Sequence, residues 1–124
     1  MTGLTFLTPP LGLDPLTDFT LEQLEGTGGL YALQAVNVPD RRMFLLDPSV
    51  YVPGYRPELT DEQVEALKLT SPDEAALFVI ANHRDGATTV NLLAPIIVNT
   101  TTAMCAQFIL EGQDWSIQTP LDAP

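Results

Sequence analysis

The longest apolar run in the chain, Thr88 to Asn99, carries no charge over twelve residues. Its even positions, Val90, Leu92, Ala94, Ile96 and Val98, are all apolar. Strand side chains alternate between faces, so that face is buried along its whole length. The odd positions run Asn91, Leu93, Pro95, Ile97, Asn99, apolar in the middle and polar at both ends. Twelve extended residues would span roughly 40 Å, too long for one strand of a small domain. Pro95 has no N–H to give a ladder and marks a bulge or a strand switch. The pattern predicts two consecutive core strands joined at Ala94-Pro95.

The rest of the chain reads as short strands separated by turns. Met1 to Leu16 holds Pro9-Pro10, Gly12 and Asp14-Pro15, and predicts extended segments with Leu4, Phe6 and Leu13 turned inward. Asp18 to Glu25 has two readings. Thr20-Leu21-Glu22-Gln23 fits a capping box, with Phe19 and Leu24 as its staple. Phe19 and Leu21 also alternate as in a strand, the preferred reading. Gly26 to Gly29 makes a turn. Leu30 to Val36 and Met43 to Leu46 form an antiparallel pair across a short polar loop, and Asp47-Pro48 ends the second strand. Thr60 to Leu69 is the clearest helix. Thr60-Asp61-Glu62-Gln63 is its capping box, and Lys68 falls in its last turn. Ala75 to His83 is a buried strand turned back at Asp85-Gly86, a strong hairpin signal. Met104 to Glu111 is the next strand, and residues 122–124 are expected to fray.

A chain of 124 residues is expected to form a single domain, residues 1–124. No apolar run approaches a membrane span, and the N-terminus shows no basic region of a signal peptide. A single cysteine, Cys105, excludes an internal disulfide and fits a reducing compartment. Charge adds more. Sixteen acids against five bases give −11. All five bases (Arg41, Arg42, Arg56, Lys68, Arg84) lie between positions 41 and 84. Nucleic-acid binding needs clustered cations, and this field has the opposite sign. It serves solubility, or it steers a basic protein partner.

Catalytic chemistry finds little foothold. The one histidine, His83, and the one thiol, Cys105, lack a third, orienting group. One His and one Cys do not make a zinc site. The acids around Asp61 and Asp73 lack a calcium-loop pattern. The amides of Asn91 and Asn99 are expected to satisfy backbone groups where the strand breaks at Pro95, with direct partner contact as the alternative. Tyr51 and Tyr55 flank Pro53-Gly54. Tyrosine suits both core packing and interfaces, and both readings stay open.

Asn91-Leu-x-Ala-Pro-Ile-x-x-Asn99 resembles the signature of the flagellar assembly factor FliW family. Looser matches follow in the same order: Phe6 with Pro10 to Leu13, Leu33-Gln34-Ala35, Asp47-Pro48 with Tyr51 and Tyr55, Gln107 with Ile109-Leu110, and Trp115 with Pro120-Leu121. Gln118 stands where that family has Arg. The resemblance implies a mainly β fold, a compact antiparallel pseudo-barrel capped by one short α-helix. It implies a cytoplasmic binding protein rather than an enzyme, with no cofactor and no metal. Its partners would be flagellin and CsrA, the RNA-binding carbon storage regulator, whose repression of flagellin translation it would relieve. Asp47, Tyr51 and Tyr55 are the partner-binding candidates, and Asn91, Pro95 and Asn99 the structural motif. Relatives carry one or two strands ahead of Phe6. Their absence here predicts an open edge near Leu4–Leu7 and weak self-association. The alternatives are a family member that has lost the regulatory role, or a small flavin-type barrel. The barrel would need Arg41 and Arg42 beside the Gly28-Gly29 turn as its phosphate site.

Overall fold

The structure, a computed structural model, describes residues 2–24, 26 and 28–121. Seven strands close into a ring in chain order: β1 (Thr2–Phe6), β2 (Asp18–Gln23), β3 (Leu30–Ala35), β4 (Arg42–Leu46), β5 (Ala75–Arg84), β6 (Ala87–Asn99) and β7 (Met104–Gln107). Every neighbouring pair is antiparallel except the closing one, where β7 runs parallel to β1. A two-residue strand, β8 (Thr119–Pro120), adds to the first half of β6. The barrel interior is filled from all seven strands, by Leu4, Phe6, Phe19, Leu33, Leu45, Phe78, Ile96, Val98 and Cys105 among others. The Phe6 and Phe19 rings meet edge to face there, their centroids 5.2 Å apart.

A second core lies outside the barrel, on one flank only. Leu46, Val79, Val90 and Leu92 point outward and are covered by Tyr55, Leu110 and Trp115. Lower on the same flank, Leu67 covers Ile97 and Ala106. The covering layer comes from α1 (Pro48–Tyr51), α2 (Asp61–Ala66), a 3₁₀ turn (Pro72–Glu74) and the chain after β7. Burial on both faces explains why β6 reads as a continuous apolar run.

Several expectations change. β6 is one strand of thirteen residues, not two, but its pairing with β5 breaks where predicted. Phe78 pairs with Ile96 and Ile80 with Asn91, so Val79 alone faces the four residues 92–95. Such a bulge lets one long strand bend around a small barrel. β7 stops at Gln107 rather than Glu111. The next residues follow the bulge instead, with Phe108 N–H donating to Pro95 O and Leu110 N–H to Leu93 O.

α2 is shorter than Thr60–Leu69. Its start carries the expected capping box. At its end Lys68 adopts φ 54°, and the Lys68 and Leu69 N–H groups bond back to Glu65 O and Val64 O. That is a Schellman stop with lysine where glycine is usual, so Lys68 lies beyond the helix. A second helical turn, α1, and the 3₁₀ turn join the one helix expected.

The open edge near Leu4–Leu7 does not exist. β1 pairs with β2 on one side and β7 on the other, and Leu7 N–H continues the ladder to Cys105 O. Leu4 and Phe6 are core residues, so the reason given for self-association is removed. Part of the expected Gly26–Gly29 turn, and residues 122–124, lie outside the described residues.

Candidate protein-docking surface

The bulge at residues 92–95 fastens the covering layer to the barrel. Backbone polar groups buried without partners cost about 1–3 kcal/mol each, so their partners decide whether the bulge stands. Asn91 Oδ1 accepts from Leu93 N–H at 3.1 Å and Ala94 N–H at 3.0 Å. Leu92 N–H donates to Ser116 O, and Leu92 O accepts from the Tyr55 hydroxyl at 2.5 Å. Leu93 O accepts from Leu110 N–H, Pro95 O from Phe108 N–H, and Ala94 O from Gln107 Nε2 at 3.2 Å. Pro95 sits at the position with no donor to satisfy. The partners outside β6 come from three parts of the chain, so the bulge gathers the loop after α1, the end of β7 with the residues that follow it, and the C-terminal segment.

Asn99 makes a second junction. It is 1% exposed, and its Nδ2 donates to Leu67 O at 2.8 Å, tying the end of α2 to the barrel. Its Oδ1 accepts from Thr101 and Thr102 N–H in the turn that leads to β7. Gln107 also works at both ends, its Oε1 accepting from Leu11 N–H at 2.8 Å. Gln113 pairs with the Glu58 backbone through both amide atoms. The sequence signal for Gln107 was an amide in an otherwise apolar stretch, whereas Gln113, between Gly112 and Asp114, carried none.

The three partner-binding candidates separate. Tyr55 is 6% exposed, with its ring edge-on to Trp115 at 4.7 Å. Burial pushes its hydroxyl pKa up. It is a core residue. Asp47 caps α1, its Oδ1 accepting from Ser49 N–H at 2.9 Å and Ser49 Oγ at 2.7 Å. Tyr51 is 37% exposed, and its hydroxyl donates to Gly28 O. Its ring lies on Gly29, where an added Cβ would come 3.1 Å from Tyr51 Cε2 in a backbone at φ +86°. Glycine is required there for both reasons. Beside α1 a groove of about 620 Å³ is lined by Asp47, Ser49, Val52, Tyr55, Arg56 and Leu77 among others. Of the candidates, Tyr51 on α1, with Val50 at 54% exposed beside it, is the most exposed.

The groups considered for chemistry stand apart. His83 shares a hydrogen bond of 2.7 Å with Thr88 Oγ1 on the exposed β5–β6 hairpin. Cys105 is buried in the barrel, which pushes its thiol up to about 12. Among the described residues no cluster of three or more His, Cys, Asp or Glu could hold a metal ion. Glu74 is held low, at about 2, first by the Thr70 hydroxyl and then by Thr70 N–H, Thr101 Oγ1 and Ser71 N–H. It clamps the 3₁₀ turn to the Asn99–Ala103 turn. Arg41 and Arg42 do not sit beside Gly28-Gly29. β3 separates them, with Leu30 opposite Leu46 at one end and Gln34 opposite Arg42 at the other, roughly 13 Å along the strand. Arg42 lies instead over the Phe44 ring, 5.2 Å from its centroid. Gln118 is exposed, its N–H donating to Ser116 Oγ.

Comparison with known proteins places this architecture. The family model described as FliW protein matches residues 2–121. The flagellar assembly factor FliW of Bdellovibrio bacteriovorus is 33% identical over 120 residues, covering 95% of this chain and 69% of that protein. That of Geobacillus kaustophilus is 37% identical over 99 residues, covering 78% and 68%. A crystal structure of the flagellar assembly factor FliW superposes with a TM-score of 0.91 at 31% identity, covering 98% of this chain and 86% of that one.

Proposed function

The chain belongs to the FliW family of flagellar assembly factors, and from that premise we propose that it binds flagellin and the RNA-binding regulator CsrA. By occupying CsrA it relieves repression of flagellin translation. Flagellin and CsrA compete for the free protein, so flagellin export feeds back on flagellin synthesis. The protein works in the cytoplasm, as a binding protein and not as a catalyst. Among the described residues no helix is long and apolar enough to cross a membrane.

The observation that carries this reading is the match over residues 2–121, which includes the Asn91–Asn99 signature. The net charge of −11 supports a basic partner, since complementary fields speed encounter and lose force with salt. Calorimetry with the CsrA and the flagellin of the same organism tests it. A complex with each, mutual competition, and an on-rate that falls as salt rises are expected. No heat with either partner at tens of micromolar (roughly a −6 kcal/mol threshold) would refute the assignment.

A further inference from the structure

We infer that the groove between α2 and residues 108–113 is a docking site for a short basic segment carrying apolar side chains. This rests on the reading of the protein as a binding factor and adds where, and to what chemistry, it binds. The groove has a volume of about 400 Å³, and Glu62, Ala66, Phe108, Ile109 and Glu111 are among its walls.

Its lining is mixed, with Thr60, Gln63 and Gln113 beside the apolar side chains, but the apolar side chains of residues 108–110 stand on a fixed backbone. The backbone on either side of Ile109 is pinned to the bulge, by Phe108 N–H to Pro95 O and Leu110 N–H to Leu93 O. Phe108 packs on the Leu67 cluster, and Leu110 is in the outer core. Ile109 alone of the three faces solvent, at 49% exposed. The neighbours inside the fold that bury Phe108 and Leu110 do not cover it. A branched apolar side chain held out on a rigid backbone binds at little entropic cost.

The rim fixes the sign of the occupant. Glu62 stands on the α2 wall and Glu111 on the other, with the exposed Asp61 and Glu65 further along α2. Lys68, beyond the end of α2, is the nearest base in sequence to the helix and does not line the groove. The larger groove beside α1 differs. It holds Arg56, and its acid, Asp47, is already committed to Ser49. The exposed Ile109 between Glu62 and Glu111 suits a segment in which Lys or Arg flank an apolar residue, and rejects an acidic one.

The experiment uses the whole chain and a fluorescein-labelled peptide of alternating lysine and leucine, with a glutamate–leucine peptide as control. Fluorescence anisotropy should show saturable binding of the first peptide alone. The double variant Glu62→Lys, Glu111→Lys should weaken it about tenfold or more, as should Ile109→Asp, the scale expected for an interface anchor. The same charge change made elsewhere, Asp40→Lys with Glu22→Lys, should leave binding within about twofold, since those sites lie outside the groove. Ile109 is exposed, so its variant should melt with the parent. Equal loss from both double variants would overturn the inference in favour of a general acidic field. So would binding indifferent to Ile109→Asp. Binding of both CsrA and flagellin unaffected by the groove variants would remove the groove and leave the proposed function standing. Peptide binding in the groove without CsrA or flagellin binding would do the reverse.

Discussion

The outer faces of β1–β4 and of β5–β7 belong to one closed sheet but meet different surroundings. On the first flank the outward positions are small or polar, apart from Phe44. Gly3, Thr20, Gln34 and Arg42 form one rung across four strands, and Glu22, Ala32 and Phe44 the next. Among the described residues no helix or loop lies in the outer core on this side, and Phe44 stays 39% exposed. On the second flank the outward positions are Val79, Val90, Leu92, Ile97 and Ala106, joined by Leu46 at the end of β4, and the helical turns and C-terminal segment wrap over them. The difference lies in the strands' own pattern. β2 alternates, with Phe19 buried between Asp18 and Thr20. From Leu92 to Val98, β6 is apolar at every step. A strand that is apolar on both faces recruits a layer to cover it. The layer in turn needs fixed points, which the bulge and Asn99 supply.

The sharpest way to break this comparison is to empty one side chain on each flank. Leu110 is 1% exposed, and Leu110→Ala should cost about 2–5 kcal/mol, the range for a buried leucine replaced by alanine. Phe44→Ala on the bare flank should cost under about 1 kcal/mol. Chemical denaturation of the two variants measures both. Equal losses would mean the wrapped layer is not a second core.

A smaller effect isolates the fastening from the packing. Asn91→Leu puts an apolar side chain of similar size on a half-buried position and removes the acceptor for Leu93 and Ala94 N–H. A loss of roughly 1–3 kcal/mol is expected, the cost of stranding buried donors. An unchanged melting temperature would show that the bulge is held by its carbonyl partners alone.

Much of the barrel was legible because period-two alternation, Asp85-Gly86 and the Thr60–Gln63 capping box are local signals. Asp85 and Gly86 both take positive φ, 55° and 78°, as a tight hairpin demands. The break in β6 was legible from Pro95, but not its form. Proline says only that a ladder donor is missing, whereas a bulge or a new strand depends on what stands opposite, here Val79. The shortening of α2 was hidden because Lys68 shows no intrinsic preference for the left-handed turn it adopts. Tertiary bonds from Asn99 to Leu67 O hold that stop in place. At the candidate surface, Tyr51 and Tyr55 were indistinguishable in sequence. Contact with Trp115 and Leu92 O buries one, and the other lies over Gly29 at the surface. Ile109 gave no warning, since an apolar residue between two core residues reads as core until its neighbours' hydrogen bonds are known.

If the wrapped flank is one cooperative unit fastened at the bulge, its irregular backbone should be as stable as the ladders around it. Native-state hydrogen exchange measures this directly at the Leu93 and Ala94 amides. Both should exchange only on global unfolding, with protection equal to that of β6 ladder amides such as Val98. Exchange as fast as at the exposed β3–β4 hairpin, for instance at Asp40, would contradict the claim and place the fastening of the covering layer elsewhere.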